Sequence, residues 1–128
     1  MATLQTAVGA FDSANLSNAQ TGSGVSTNIA DRGASQVGKA ALLKITTTIG
    51  ATPTCTYLIE GSADGTNWFP IPYADSATPA TFVVTTFVIT TATTAYKILQ
   101  PNQPWRFARV TYSANTNVTN TADVFAPA

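Results

Sequence analysis

The stretch Gly61-Ser62-Ala63-Asp64-Gly65-Thr66-Asn67-Trp68 decides the fold class of this chain. Asp-Gly supplies the positive backbone dihedrals of a tight β-turn. It stands between two apolar runs, residues 56–60 and 68–71, which read as consecutive antiparallel strands. Further on, Trp105-Arg106-Phe107-Ala108-Arg109-Val110 sets arginines among apolar residues in the manner of another strand, running to about residue 113.

The same pattern extends outward in both directions. Ala41, Leu43, Ile45, Thr47 and Ile49 alternate with Leu42, Lys44, Thr46 and Thr48, the period-two signature of a strand with one face inward. Gly50-Ala51-Thr52-Pro53 reads as a turn, after which Cys55, Tyr57 and Ile59 line one face of the next strand. Pro70 and Pro72 mark the short run after the Asp-Gly turn as an edge, and residues 73–79 read as loop. Residues 82–91 form a long β-branched run with Phe82, Val84 and Val88 on one face and Val83, Phe87 and Ile89 on the other. Apolar side chains on both faces predict that one face meets a neighbour. Residues 94–100 and 118–125 complete the set, the latter after a hairpin loop at Ala114-Asn115-Thr116-Asn117.

About eight strands punctuated by Gly, Pro, Asn and Asp, with no amphipathic helix, predict an all-β antiparallel β-sandwich of jelly-roll-like form. Residues 36–128 are assigned to it. Residues 1–35 are expected to be an extended N-terminal arm: Leu4, Val8 and Phe11 suit a short first strand, and residues 15–36, with few large apolar groups, read as a long loop or extended arm. Such a segment lacks the surface to order itself, and is expected either to be a mobile arm or to be ordered by lying on a neighbour.

Composition narrows the function. Of the 128 residues, 45% are apolar but only 9% are charged, with six basic and six acidic side chains and no net charge. Thr and Ala supply about a third of the chain, so the surface is covered by Thr, Ser, Asn and Gln. A chain without a basic patch is not built to hold nucleic acid. A neutral, charge-poor surface also lacks the usual guard against association. No apolar run reaches membrane-spanning length, and the start Met1-Ala2-Thr3-Leu4 has no signal-peptide pattern, which predicts synthesis in a cytoplasm.

The residue inventory argues against catalysis. There is no histidine, hence no Ser-His or Cys-His pair and no imidazole metal ligand. The acids Asp12, Asp31, Glu60, Asp64, Asp75 and Asp123 form no sequence-local pair, and Gly22-Ser23-Gly24 lacks the Lys of a phosphate loop. No cofactor or metal is expected. Asp64 is assigned to its turn, where its carboxylate bonds local backbone, in preference to a Ca²⁺ site shared with Asn67. Cys55, the only cysteine, is expected to be a buried small hydrophobe. Trp68 and Trp105 either pack in the core or form a sugar-stacking platform, with core packing the commoner fate. Of Arg106 and Arg109, one is expected to cap the core edge through Glu60 or Asp64, and the other to face solvent or a partner.

With these residues in view, Ser62-Ala63-Asp64-Gly65-Thr66-Asn67-Trp68 followed by Trp105-Arg106-Phe107-Ala108-Arg109-Val110 resembles the Ser-x-Asp-Gly-x-x-Trp and Arg-Tyr-x-Arg-Val pattern of discoidin-like β-sandwiches. It is also similar to the pairing in small virion proteins of tailed bacteriophages, and the Thr/Ala-rich, His-free background fits that group better. The resemblance covers roughly residues 54–125. It implies a capsid decoration (cement) protein on the virion surface, a homotrimer whose partners are itself and the major capsid protein. Leu4, Val8, Phe11, Phe87 and Ile89 are the expected partner contacts. Asp64, Gly65, Trp68, Trp105 and Arg109 are the expected turn and core residues. The alternative is a carbohydrate- or receptor-binding module of a virion fibre, using Trp68, Tyr73 and loop asparagines.

Overall fold

The computed structural model describes residues 11–127, with side chains for residues 13–125. The chain is all-β and antiparallel. Its strands are β1 (Phe11–Gln20), β2 (Gly24–Val25), β3 (Ala30–Asp31), β4 (Ala41–Ser62), β5 (Phe69–Pro70), β6 (Tyr73–Asp75), β7 (Phe87–Ile89), β8 (Thr94–Leu99) and β9 (Phe107–Pro127), with one 3₁₀ turn at Ala34–Gln36. The main path through the sheet runs β1-β9-β4-β8-β6, with β2 and β3 attached to β9, and β5 and β7 to β4.

Two strands of 22 and 21 residues, β4 and β9, form the spine. The turn and the hairpin loop expected at residues 50–53 and 114–117 are irregularities within these two strands. Pairing runs from Leu42↔Phe125 to Ile49↔Val118, slips, and resumes from Thr54↔Thr116 to Ser62↔Phe107. Thr52, Ala114 and Asn117 take up positive φ of 45°, 48° and 55° there, and the Asn117 amide donates to the Ala51 carbonyl at 2.7 Å. The Gly-Pro and Asn-rich segments therefore act as facing bulges that bend both strands without ending them.

The bend produces the sandwich. The first half of β4 and the second half of β9 make one layer with β1, β8 and β6; the other halves make the second layer with β2, β3, β5 and β7. Side chains of fixed parity point inward from both layers. Leu43, Ile45, Val118, Ala122 and Val124 come from one, and Cys55, Tyr57, Ile59, Val110 and Tyr112 from the other. Two buried hydrogen bonds cross between them: Tyr57 Oη to Asn120 Oδ1 at 2.5 Å, and the Ser17 and Tyr112 hydroxyls at 2.8 Å. Burial pushes the Tyr112 phenol up to about 12 and raises Cys55, whose side chain is shut off from solvent as expected.

The segment read as a loop from residue 15 to residue 36 is corrected. β1 continues to Gln20 as the strand beside β9, with Ala14, Leu16 and Ser17 buried. Arg32 is also wholly buried. Short Ala and Ser side chains fill the space beside β9, so a segment poor in large apolar groups still belongs to the core. Leu4 and Val8 lie outside the described residues, and the Phe11 side chain outside the described side chains. Two further differences are local: residues 73–75, read as loop, form β6, and the strand expected over residues 82–91 is confined to Phe87–Ile89 plus a single bridge between Val83 and Tyr73.

Candidate interaction surface

The 61–68 turn is built as its sequence requires. Gly65 holds φ at 82°, open to glycine at little cost. Asp64 Oδ1 accepts from the Thr66 and Asn67 amides at 2.8 Å each and from Ser62 Oγ at 2.9 Å, while Oδ2 accepts from Asn67 Nδ2 at 2.7 Å. These donors, the Asn67 amide foremost, hold the carboxyl well below the ordinary Asp range. Both oxygens of Asp64 thus serve the turn. At its start, Gly61 is needed for a different reason: a Cβ there would lie 2.6 Å from Trp105 Cβ.

The two tryptophans separate. Trp105 is wholly buried on Gly61 and Ile71, whereas Trp68 is half-exposed. They do not form a joint stacking platform. Each carries its own arginine: Arg32 lies 3.4 Å from the Trp105 ring centroid, and Arg109 lies 4.1 Å from that of Trp68. Arg109 also donates to Glu60 at 3.1 Å, its cross-strand neighbour, which realises the expected cap through Glu60. Arg106 pairs with Asp31 through Nε at 2.8 Å and Nη2 at 3.1 Å, and that bond is the chief reason the Asp31 carboxyl is lowered. Sequence reasoning missed Asp31 and Arg32 because both sit in the segment read as loop.

The acidic side chains are engaged one by one. Asp75 pairs with Lys97, and Asp123 accepts from Asn15 at 2.9 Å. Together with the pairs above, this gives each of the five described carboxylates a partner of its own within the chain. Among the described residues no group of three His, Cys, Asp or Glu could hold a metal ion.

A cleft of ≈ 450 Å³ opens at the strand bulges, lined among others by Thr21, Thr48, Ile49, Asn115, Asn117 and Thr119. Its asparagines are committed to backbone. Asn115 Nδ2 donates to the Gly22 and Val118 carbonyls at 2.9 Å each, and Asn115 Oδ1 accepts from the Val118 amide at 3.1 Å. These groups, with Asn117 Nδ2, hold the corner together.

The apolar surface lies elsewhere. Of the seven large apolar side chains exposed among the described residues, four (Val83, Val84, Val88 and Tyr96) fall in residues 76–96, a stretch without a charged side chain. Here the expected partner contacts Phe87 and Ile89 are corrected. Ile89 is part of the core, and Phe87 stacks on Tyr57 with centroids 4.9 Å apart. The outward residue of β7 is Val88, 57% exposed, because adjacent strand residues point to opposite sides and β7 lies over Cys55–Tyr57.

No family model matches the chain, and neither does any curated protein or solved structure. The surface itself therefore carries the functional argument.

Proposed function

We propose that this chain is a structural virion protein, a decoration (cement) protein that self-associates on the outside of a phage head and bridges capsid subunits. The supporting observation is the distribution of charge. The three ion pairs among the described residues are closed within the chain, and the uncharged residues 76–96 present valines to solvent. Neutral Thr- and Val-covered sheet faces fit burial against protein, where apolar area contributes without stranding a charge. The shell would be stabilised by mass action, many equivalent weak contacts acting together through avidity.

The test is co-sedimentation of the full chain with capsids prepared without it. Saturable binding at a fixed ratio to the capsid protein, with a higher temperature of shell disruption, is the expected result. A chain that ignores capsids and is retained on a glycan array would replace this reading with the fibre-module alternative, for which half-exposed Trp68 is the available ring.

A further inference from the structure

Residues 76–93 form an uncharged flap between β6 and β8, closed at its base by the Asp75–Lys97 pair. The Lys97 ammonium also lies 4.4 Å from the Phe87 ring centroid. Within the flap the chain crosses the open side of the sandwich. Val83 exchanges backbone hydrogen bonds with Tyr73 of one layer, at 3.0 and 2.8 Å, and Phe87–Ile89 then pairs with β4 of the other. Among the described residues β4 is the only strand paired with β7, so the far edge of β7 offers its N–H and C=O groups to no strand. Sheets guard such edges with Lys, Pro or a bulge. β5, on the same side of β4, carries Pro70. At three residues β7 is short, which itself limits edge pairing, but it carries no Lys, Pro or bulge, and its middle residue is the exposed Val88.

We propose that β7 docks a second copy of this chain, edge to edge and antiparallel, about a two-fold axis at Val88. In a two-fold contact the residues at the axis meet their own equivalents, so any charge there would face its like. The flap meets that condition across its whole length, and the contact sets Val88 against Val88 while both free edges gain hydrogen bonds. The proposal rests on the self-association in the function proposed above, not on shell binding. It gives dimers where the resemblance implies trimers.

Sedimentation velocity and native mass spectrometry of the full chain test it, together with cysteine substitutions, since the native Cys55 is buried. A dimer is expected. Antiparallel partners at the axis have Cα atoms about 4.5–5.5 Å apart, inside the disulfide range of roughly 4.4–6.8 Å. Val88→Cys should therefore cross-link to itself on mild oxidation. Thr86→Cys should cross-link only when mixed with Thr90→Cys, its antiparallel counterpart. Val88→Lys should yield monomers with the parent circular dichroism and a melting temperature that, unlike the parent's, does not rise with protein concentration. A monomeric parent, a trimer that Val88→Lys leaves intact, or a dimer in which Val88→Cys fails to cross-link would each overturn the proposal. Dimers that ignore capsids would sink shell binding and leave this contact standing; a shell-binding monomer would do the reverse.

Discussion

The Arg32 guanidinium lies 3.4 Å from the centre of the Trp105 ring, and both side chains are closed to solvent. Among the described residues no carboxylate is paired with this arginine. Its Nε, Nη1 and Nη2 donate to the carbonyls of Trp105, Lys39 and Gln103 at 2.9, 2.8 and 3.2 Å. Burial lowers its pKa to about 10, so it remains charged at neutral pH. A buried cation is costly unless its donors are met. Here three carbonyls and a tryptophan face meet them, and the segment carrying Arg32 is tied to the strand that follows Trp105.

Deleting residues 1–35 should therefore abolish cooperative folding. The truncation strips β1 from the long strand beside it and uncovers Trp105. Circular dichroism melting and tryptophan emission check this, and a truncated chain that melts within a few degrees of the full one would refute it.

Gly61→Ala should destabilise the protein by about 1–3 kcal/mol, the usual cost of overpacking. Its new Cβ would sit 2.6 Å from Trp105 Cβ and 2.9 Å from Ile71 Cδ1, within an already filled interior. Urea titration should show a lower midpoint with an unchanged slope.

Tyr57→Phe should cost about 1–3 kcal/mol, because it leaves Asn120 Oδ1 buried without its donor. Replacing Asn120 by Leu in the same chain should recover part of that loss, since no orphan acceptor then remains. A double-mutant cycle in chemical denaturation measures both effects.

Asp64 has its carboxyl lowered by turn donors, so the unfolded chain binds its proton more readily than the folded one. Its contribution to stability is then present above the unfolded value near pH 4 and is lost as pH falls below that. Asp64→Asn should melt lower than the parent at pH 7, with the difference shrinking toward pH 3. A difference constant across that range would show that the charge plays no part.

Much of the spine was legible. The alternation through Leu43 and Ile45, the inward set Cys55, Tyr57 and Ile59, and the Asp64–Gly65 turn depend on period and local hydrogen bonding, which neighbouring residues dictate. Turn chemistry misled where it met a long strand. Gly50–Pro53 and Ala114–Asn117 carry hairpin signals, yet they face each other across one pairing register and become bulges. The parity of Phe87, Val88 and Ile89 was equally beyond local reading, since apolar residues occupy both faces and only pairing with Cys55–Tyr57 selects the inward one.

By itself, the sequence determined the all-β class, the tight turn at Asp64–Gly65 and the burial of Cys55, while the choice of Arg109 over Arg106 as the partner of Glu60 came from the pairing of β4 with β9. Each of the first three follows from a residue's own conformational preference or from apolar patterning along a strand. Only the tertiary structure decided that Arg32 caps Trp105, that β1 completes the sheet and that Val88 rather than Phe87 faces outward. Those outcomes depend on contacts between residues thirty or more positions apart, and pattern within a single segment carries no record of which distant surface it will meet.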